Sequence, residues 1–160
     1  MNALPTPDIP SKLEGSKWPR QCVVGWFQKK GKDLVMANTH FDFYPRVQDK
    51  SAQLVLEFLS RFPLGLSSVI TGDFNADPGS LAYERFMAHG FDEVLKGEKM
   101  TTFHGFSGKE TFRHIDWILY QGGLILDGVR VVTDDFKGKF PSDHYPVIST
   151  FSWKDSPHLP

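Results

Sequence analysis

The chain has 160 residues, of which 40% are hydrophobic and 23% charged, and its formal net charge is -1. This length suits one domain, and 14 Phe and 4 Trp residues exclude a disordered chain. No run approaches the roughly 20 apolar residues of a membrane span, and the N-terminus lacks a signal layout, so we expect a cytoplasmic protein without stable membrane insertion. The single cysteine, Cys22, excludes an internal disulfide framework.

The first half of the chain alternates predicted strands and helices. Four prolines within residues 1–20 indicate an extended arm or loop. Two β-rich runs, residues 21–28 and 33–40, are separated by a short turn and predict a hairpin. After Pro45, apolar residues at helical spacing predict a helix of about four turns.

A strand and a second helix are predicted next. The buried run at residues 68–71 is typical of a strand that ends at Gly72 and Asp73. Asp77 and Pro78 are residue types favoured at an N-cap and a first helical position, so the second helix is expected to begin there.

The last third of the chain is β-rich. Strands are predicted at residues 113–120, 124–133 and 145–153, with residues 154–160 as a tail. The element order predicts an α/β (α+β) fold, with a mostly antiparallel or mixed β-sheet that carries two helices on one face. Apolar side chains occur on both faces of these strands, so we expect the sheet to pack against a further layer.

Polar side chains collect where the predicted strands end. Asp73 and Asn75 follow Gly72, and their oxygens suit a hard cation such as Mg2+ or Mn2+. A cation, a carboxylate base and a histidine are the groups needed to hydrolyse a phosphate ester. Taken singly, His40 is also explained as an ordinary strand-end histidine, and Asp73 and Asn75 as turn formers. Asp116 is harder to dismiss, because a carboxylate inside an apolar strand needs a partner.

Five motifs occur in one order along the chain. They are Asn38-Thr39-His40-Phe41-Asp42, Thr71-Gly72-Asp73-Phe74-Asn75-Ala76-Asp77, Thr102-Phe103-His104-Gly105-Phe106, His114-Ile115-Asp116-Trp117-Ile118 and Pro141-Ser142-Asp143-His144-Tyr145-Pro146-Val147. Their order strongly resembles the C-terminal half of the endonuclease/exonuclease/phosphatase superfamily, the deoxyribonuclease-like metal-dependent phosphohydrolases. The resemblance implies that residues 21–153 form one half of a four-layered α/β/β/α sandwich.

The resemblance also implies roles for individual residues. Asp73 matches the aspartate that activates the attacking water, and Asn75 matches a neighbour that contacts phosphate and metal. His144 matches the histidine that binds the scissile phosphate, and Asp116 the carboxylate that orients it. The implied metal ligands are Asp73, Asn75 and Asp143. The remaining implied positions are His40 near the phosphate and leaving group, and Asn38, His104 and Arg113 in substrate binding.

The N-terminal half of that superfamily supplies a metal-binding glutamate, and its motif does not occur in this sequence. An uncovered sheet face would also expose more than the few hundred Å² of apolar surface usual for a soluble monomer. We therefore expect a homodimer, complementation by a separately encoded N-terminal half, or a fragment of a longer protein.

Two functions stay open at this point. The first is an enzyme, a divalent-metal-dependent phosphoesterase in which water activated by Asp73 attacks a phosphodiester or phosphomonoester. The second is a catalytically impaired half-domain that binds phosphate or nucleic acid, or serves assembly, without turnover. The substrate is open among nucleic acids, nucleotides and phospholipid headgroups.

Overall fold

The computed structural model describes residues 11–154, which form two β-sheets and two helices. The predicted arm over residues 1–20 therefore lies partly outside the described residues, and the tail over 154–160 almost entirely so. No helix in the described range is long and apolar enough to cross a membrane. The elements in chain order are β1 (Cys22–Lys29), β2 (Lys32–His40), α1 (Pro45–Leu59), β3 (Ser67–Asp73), α2 (Leu81–Ala88), β4 (Asp92–Glu93), β5 (Asp116–Gln121), β6 (Leu124–Val131) and β7 (Val147–Trp153).

The larger sheet is mixed and has the strand order β1-β2-β3-β5-β4. The predicted hairpin is confirmed, since β1 and β2 pair antiparallel, while α1 leads the chain into a parallel pairing of β2 with β3. β5 then pairs antiparallel with β3. The mixed sheet is thus confirmed, and the two-residue edge strand β4 is an element that the sequence analysis did not predict.

The last two strands form a separate sheet, whereas the sequence analysis placed every strand in one sheet. β6 and β7 pair only with each other within the described residues, and their ladder contains a bulge between Leu126 and Gly128. Gly122, at φ 86°, turns the chain out of β5 before β6 begins. The small sheet stays close to the larger one, because the ring of Phe151 lies 5.1 Å from that of Tyr120.

Both helices pack on one face of the larger sheet, as predicted. Ala37, Ile70 and Leu119 lie opposite one another on β2, β3 and β5, and all three belong to the buried core under the helices. Between them and α2 lies an aromatic cluster in which Phe74 stacks on Trp117 with centroids 4.2 Å apart. We call this the helix face, and the other side the open face.

The second helix begins later than predicted. Ser80, not Asp77, is its N-cap, because the Ser80 hydroxyl accepts a hydrogen bond from the backbone N–H of Tyr83. The carboxylate of Asp77 instead accepts the backbone N–H of His114, which lies just before β5. Asp77 therefore joins the loop after β3 to the chain that enters β5.

Residues 16–18 are fixed to the end of β2 by a buried carboxylate. Asp42 has no exposed surface, and its Oδ2 accepts hydrogen bonds from the Ser16 hydroxyl at 2.7 Å and the backbone N–H groups of Lys17 and Trp18 at 2.8 and 3.1 Å. Its Oδ1 accepts the backbone N–H of Phe43 at 2.7 Å. This part of the predicted arm is thus packed against the domain.

The open face carries apolar side chains that nothing in residues 11–154 covers completely. Val23 is 69% exposed, Phe27 54% and Met36 37%, and register places all three on the side opposite the helices. Soluble proteins seldom leave several large apolar side chains together in water. The open face is the surface for which the sequence analysis expected a further layer.

Candidate functional site

Three strands bring one polar side chain each to a single row on the open face. His40 ends β2, Asp73 ends β3 and Asp116 begins β5, and the register pairs His40 with Asp73 and Asp73 with Asp116. Because residues in register point to the same side of a sheet, these three side chains meet, although they are far apart in sequence. The row therefore depends on the strand pairing and not on any local motif.

His144 completes the group from the segment that precedes β7. Its Nδ1 lies 2.8 Å from Asp116 Oδ2, and its Nε2 lies 3.9 Å from Asp73 Oδ2. On the other side of Asp73, the same Oδ2 lies 3.3 Å from His40 Nε2. Asp73 thus stands between two imidazoles, and Asp116 holds one of them.

Gly72 permits this close approach of β2 and β3. A Cβ atom at residue 72 would lie 1.9 Å from the backbone oxygen of Thr39, a distance that no side chain can occupy. Its φ of 156° is likewise one that other residues rarely adopt. Since Thr39 and Gly72 precede His40 and Asp73, glycine at this position sets the spacing of the row.

The structure brings most predicted residues to this region, in different roles. Asn75 adjoins Asp73, because its backbone N–H donates to Asp73 Oδ1 at 2.8 Å. Its side-chain amide, however, donates to the backbone oxygen of Phe41 at 2.9 Å. Asn38 lies on the open face two residues before His40, and its amide donates to the Thr71 hydroxyl at 2.9 Å.

Two predicted substrate-binding residues lie in the loops beside the row. His104 is only 2% exposed and stacks on Tyr145 with ring centroids 4.0 Å apart, so its side chain faces the protein interior. Arg113 is half-exposed, and its Nε lies 3.3 Å from a carboxylate oxygen of Asp77. Neither side chain makes a described contact with the row, and their roles in substrate binding stay predictions.

A group of three side chains that could hold a cation overlaps in part with the ligands that the resemblance implies. Ligand atoms of Asp73, Asp116 and His144 all lie within 4.8 Å of one another. Asp73 is common to this group and to the implied ligands, Asp116 joins it because the row places the two carboxylates side by side, and metal binding by Asn75 and Asp143 stays a prediction. Asp143 is close enough for its charge to act on His144, and its backbone oxygen accepts the N–H of His104.

Proton affinities in the group are shifted by burial and by neighbouring charge. Burial raises the pKa of Asp73 above its ordinary value and the charge of Asp116 adds to this, while the Asn75 N–H and the two histidines oppose it. For His144, burial opposes protonation, but the hydrogen bond and charge of Asp116, with Asp73 and Asp143, outweigh it and raise its pKa. The arrangement favours a protonated His144 beside a carboxylate of raised basicity.

A cleft of about 350 Å³ opens over this group and is bounded by Asp73, Asp116 and His144. A larger cavity of about 390 Å³ lies between α1 and residues 11–22. That cavity is on the helix side, where Thr39 and Phe41 point, and the row of polar side chains faces the other way. The smaller cleft is therefore the one lined by Asp73, Asp116 and His144.

Comparison with known proteins shows which family the chain belongs to. The sequence profile of the endonuclease/exonuclease/phosphatase family matches residues 5–144. The chain belongs to this family. The expectation from the five motifs is thereby confirmed. No curated protein matches the sequence.

Solved structures of other proteins overlay the chain closely. A mannosyl-6-phosphatase of Bacteroides thetaiotaomicron is 27% identical with a TM-score of 0.83, over 93% of this chain and 63% of that one. Another endonuclease/exonuclease/phosphatase family protein of that bacterium is 30% identical with a TM-score of 0.81, over 92% of this chain and 60% of its own. The Danio rerio protein TDP2, in complex with a single-stranded DNA product, is 16% identical with a TM-score of 0.71, over 87% and 64%. The chain spans less than two thirds of the length of each of these three proteins.

Proposed function

We propose that this family member hydrolyses a phosphate ester with the help of a divalent cation, Mg2+ or Mn2+. The observation that carries the proposal is the convergence of Asp73, Asp116 and His144 around one cleft. The carboxylates of Asp73 and Asp116 fit a hard divalent cation, because carboxylate oxygens are its preferred ligands. When bound there, such a cation offsets the negative charge of the phosphate.

The geometry supports the roles that the resemblance implies for the chain's own groups. Asp73, whose pKa is raised, is suited to take a proton from the attacking water at one carboxylate oxygen. His144, whose pKa is raised, is suited to donate from Nε2 to a phosphate oxygen, where negative charge develops. Asp116 accepts from Nδ1 and so fixes the orientation of that ring. His40, on the far side of Asp73, is proposed to interact with the leaving group, and its contact with Asp73 supports this role.

One solved structure is similar enough in sequence to this chain to support a substrate class as well as a fold. The mannosyl-6-phosphatase acts on a sugar phosphate, and its 27% identity extends over 93% of this chain. We therefore place sugar phosphates first among the substrates to be assayed. A generic phosphodiester and plasmid DNA test the nuclease-like alternative.

The test is hydrolysis by the purified chain with Mg2+, with Mn2+ and with a chelator. Asp73→Asn and His144→Ala are expected to abolish turnover while leaving the fold intact. Matched controls are Asp127→Asn and His89→Ala, whose side chains are bonded to Ser152 and to the backbone of Arg85, away from the cleft. Turnover retained in both site variants would contradict the proposal.

The second candidate function is binding of phosphate without turnover. The small number of carboxylate ligands in the group favours it. The group has two carboxylates, and the loss of one oxygen ligand weakens a hard-cation site substantially. Binding of orthovanadate or phosphate by a well-folded chain that hydrolyses none of these substrates would support this function. Binding lost in His144→Ala would locate it at the same cleft.

We also propose that a further β-sheet layer covers the open face, supplied by a second copy of this chain or by a polypeptide with the N-terminal half of the family fold. The exposed Val23, Phe27 and Met36 support this. Molecular mass in solution is the test, with Val23→Glu and Met36→Glu as variants. A wild-type dimer that becomes monomeric in both variants supports self-pairing. A wild-type monomer contradicts self-pairing and directs the search to a separate partner.

A further inference from the structure

Two residues of the site lie where regular strand pairing gives them little support. Asp116 is the first residue of β5, so the chain before it belongs to a loop. His144 precedes β7 and is joined to the rest of the protein by an isolated bridge to Phe103. Their 2.8 Å contact therefore depends on how the start of β5 is fixed relative to the segment before β7.

One buried residue, Thr102, is hydrogen-bonded to both segments, to one through its side chain and to the other through its backbone oxygen. The Thr102 hydroxyl accepts hydrogen bonds from the backbone N–H groups of Ile115 at 3.0 Å and Asp116 at 3.1 Å. The backbone oxygen of Thr102 accepts the N–H of Tyr145, the residue after His144, at 2.7 Å. Thr102 has no exposed surface, so water does not reach these donors when the hydroxyl is removed.

The Thr102 backbone adds a contact to the same loop. Its N–H donates to the backbone oxygen of Arg113 at 2.8 Å, and its hydroxyl lies 3.5 Å from the same oxygen. Valine has the shape of threonine but cannot accept a hydrogen bond. Serine keeps the acceptor and loses only a methyl group.

We propose that Thr102 is a positioning residue that fixes the distance between Asp116 and His144. The role assigned to it in hydrolysis rests on the proposed function, but the geometric role does not. Thr102 is fully buried and does not line the cleft. It acts by holding the backbone N–H of Asp116 with its side chain and that of Tyr145 with its carbonyl.

The neighbouring residue provides a matched control. The Thr101 hydroxyl also accepts two backbone N–H groups, those of Thr111 at 3.0 Å and Phe112 at 2.9 Å, and Thr101 is only 8% exposed. Thr101→Val therefore leaves the same number of backbone donors without their acceptor as Thr102→Val. Its donors, however, belong to the loop before Arg113 and not to the segments that carry Asp116 and His144.

The decisive measurement is the NMR resonance of the His144 Nδ1–H proton that is bonded to Asp116, assigned by its disappearance in His144→Ala. We expect Thr102→Val to lose or shift this resonance, Thr102→Ser to restore it, and Thr101→Val to retain it. Under the proposed function, kcat in Thr102→Val falls about 10- to 100-fold, as for other residues that orient a ligand, with a smaller change in KM. A resonance unchanged in Thr102→Val would overturn the positioning role.

Amide hydrogen exchange of the unmodified chain keeps the proposal testable if Thr102→Val does not fold. The amides of Asp116 and Tyr145 are expected to be protected and to exchange at similar rates, because one residue holds both. Exchange of the Asp116 amide as fast as that of an exposed loop would refute the proposal. Neither readout requires turnover, so a chain without phosphoesterase activity would contradict the proposed function and leave the role of Thr102 to be decided separately.

Discussion

Replacing Asp42 by alanine is expected to destabilise the domain severely, because four hydrogen bonds end on this one buried carboxylate. A hydrogen bond contributes about 1 kcal/mol net, and more when one partner is charged, so the expected loss is about 4–6 kcal/mol. Whole domains of this size are stable by about 5–15 kcal/mol. Asp42→Ala therefore approaches the point at which the chain no longer folds.

Asp42→Asn separates the loss of charge from the loss of the acceptor. Three donors converge on Oδ2 and one, the N–H of Phe43, on Oδ1. The amide oxygen is therefore expected at the Oδ2 position, with the amide nitrogen facing the Phe43 N–H. One buried donor then has no acceptor, and the expected loss is about 1–3 kcal/mol.

The difference in stability between wild type and Asp42→Asn is expected to depend on pH. Burial opposes ionisation of Asp42, but hydrogen bonds from Ser16, Trp18, Phe43 and Lys17 outweigh it and hold its pKa below the ordinary value. The stability that the carboxylate provides is therefore complete above the unfolded pKa of about 3.9 and is lost as pH falls through the folded-state pKa. The gap between wild type and Asp42→Asn should narrow in that acid range.

Urea unfolding followed by tryptophan fluorescence, at neutral and at acid pH, measures these differences. Asp127→Asn is the control, because that exposed side chain has one hydrogen bond, from the Ser152 hydroxyl. Equal losses in Asp42→Ala and Asp42→Asn would refute the assignment of donors to the two oxygens. A gap that is independent of pH would refute the lowered pKa.

Other perturbations test the site and the core. In a pH–rate profile, the rate of hydrolysis should rise as Asp73 loses its proton, at a pH above the ordinary pKa of aspartate. The rate should fall again as His144 loses its proton, at a pH above the ordinary histidine pKa of about 6.5. Asp49→Asn breaks a partly exposed ion pair between the two helices and should cost about 1 kcal/mol in urea unfolding, less at high salt. Phe74→Ala empties a fully buried site and should cost about 3–5 kcal/mol, against less than about 0.5 kcal/mol for the exposed Phe112→Ala in the same assay.

The sequence predicted the elements with strong periodic patterns and their placement on one face. The apolar spacing after Pro45 gave α1, and the alternation in residues 21–40 gave the hairpin. The start of α2 was wrong, because Asp77 and Ser80 are both good N-cap residues and only tertiary structure gives Asp77 another partner, the N–H of His114. The separate β6–β7 sheet depends on a glycine turn and a bulge, whose effect on pairing has no periodic signal.

For the site, recognition of motifs located the residues and the structure assigned their contacts. His40, Asp73, Asp116 and His144 were all named from sequence, and strand register accounts for the meeting of the first three. The grouping of Asp73 with Asp116 was not predictable from local sequence, since it depends on which side chains the register places opposite one another. Thr102 lies within a quoted motif, but its hydrogen bonds join chain segments that are distant in sequence.

The open face carries both the polar row and the exposed apolar side chains, and this couples two equilibria. Any layer that packs on Val23 and Met36 also lines the space above Asp73 and Asp116. A ligand held between the two layers strengthens their association by the same factor by which association strengthens the binding of that ligand. The effect of ligand on assembly and the effect of assembly on ligand affinity then measure the same coupling free energy, so a titration of either one reports on the other.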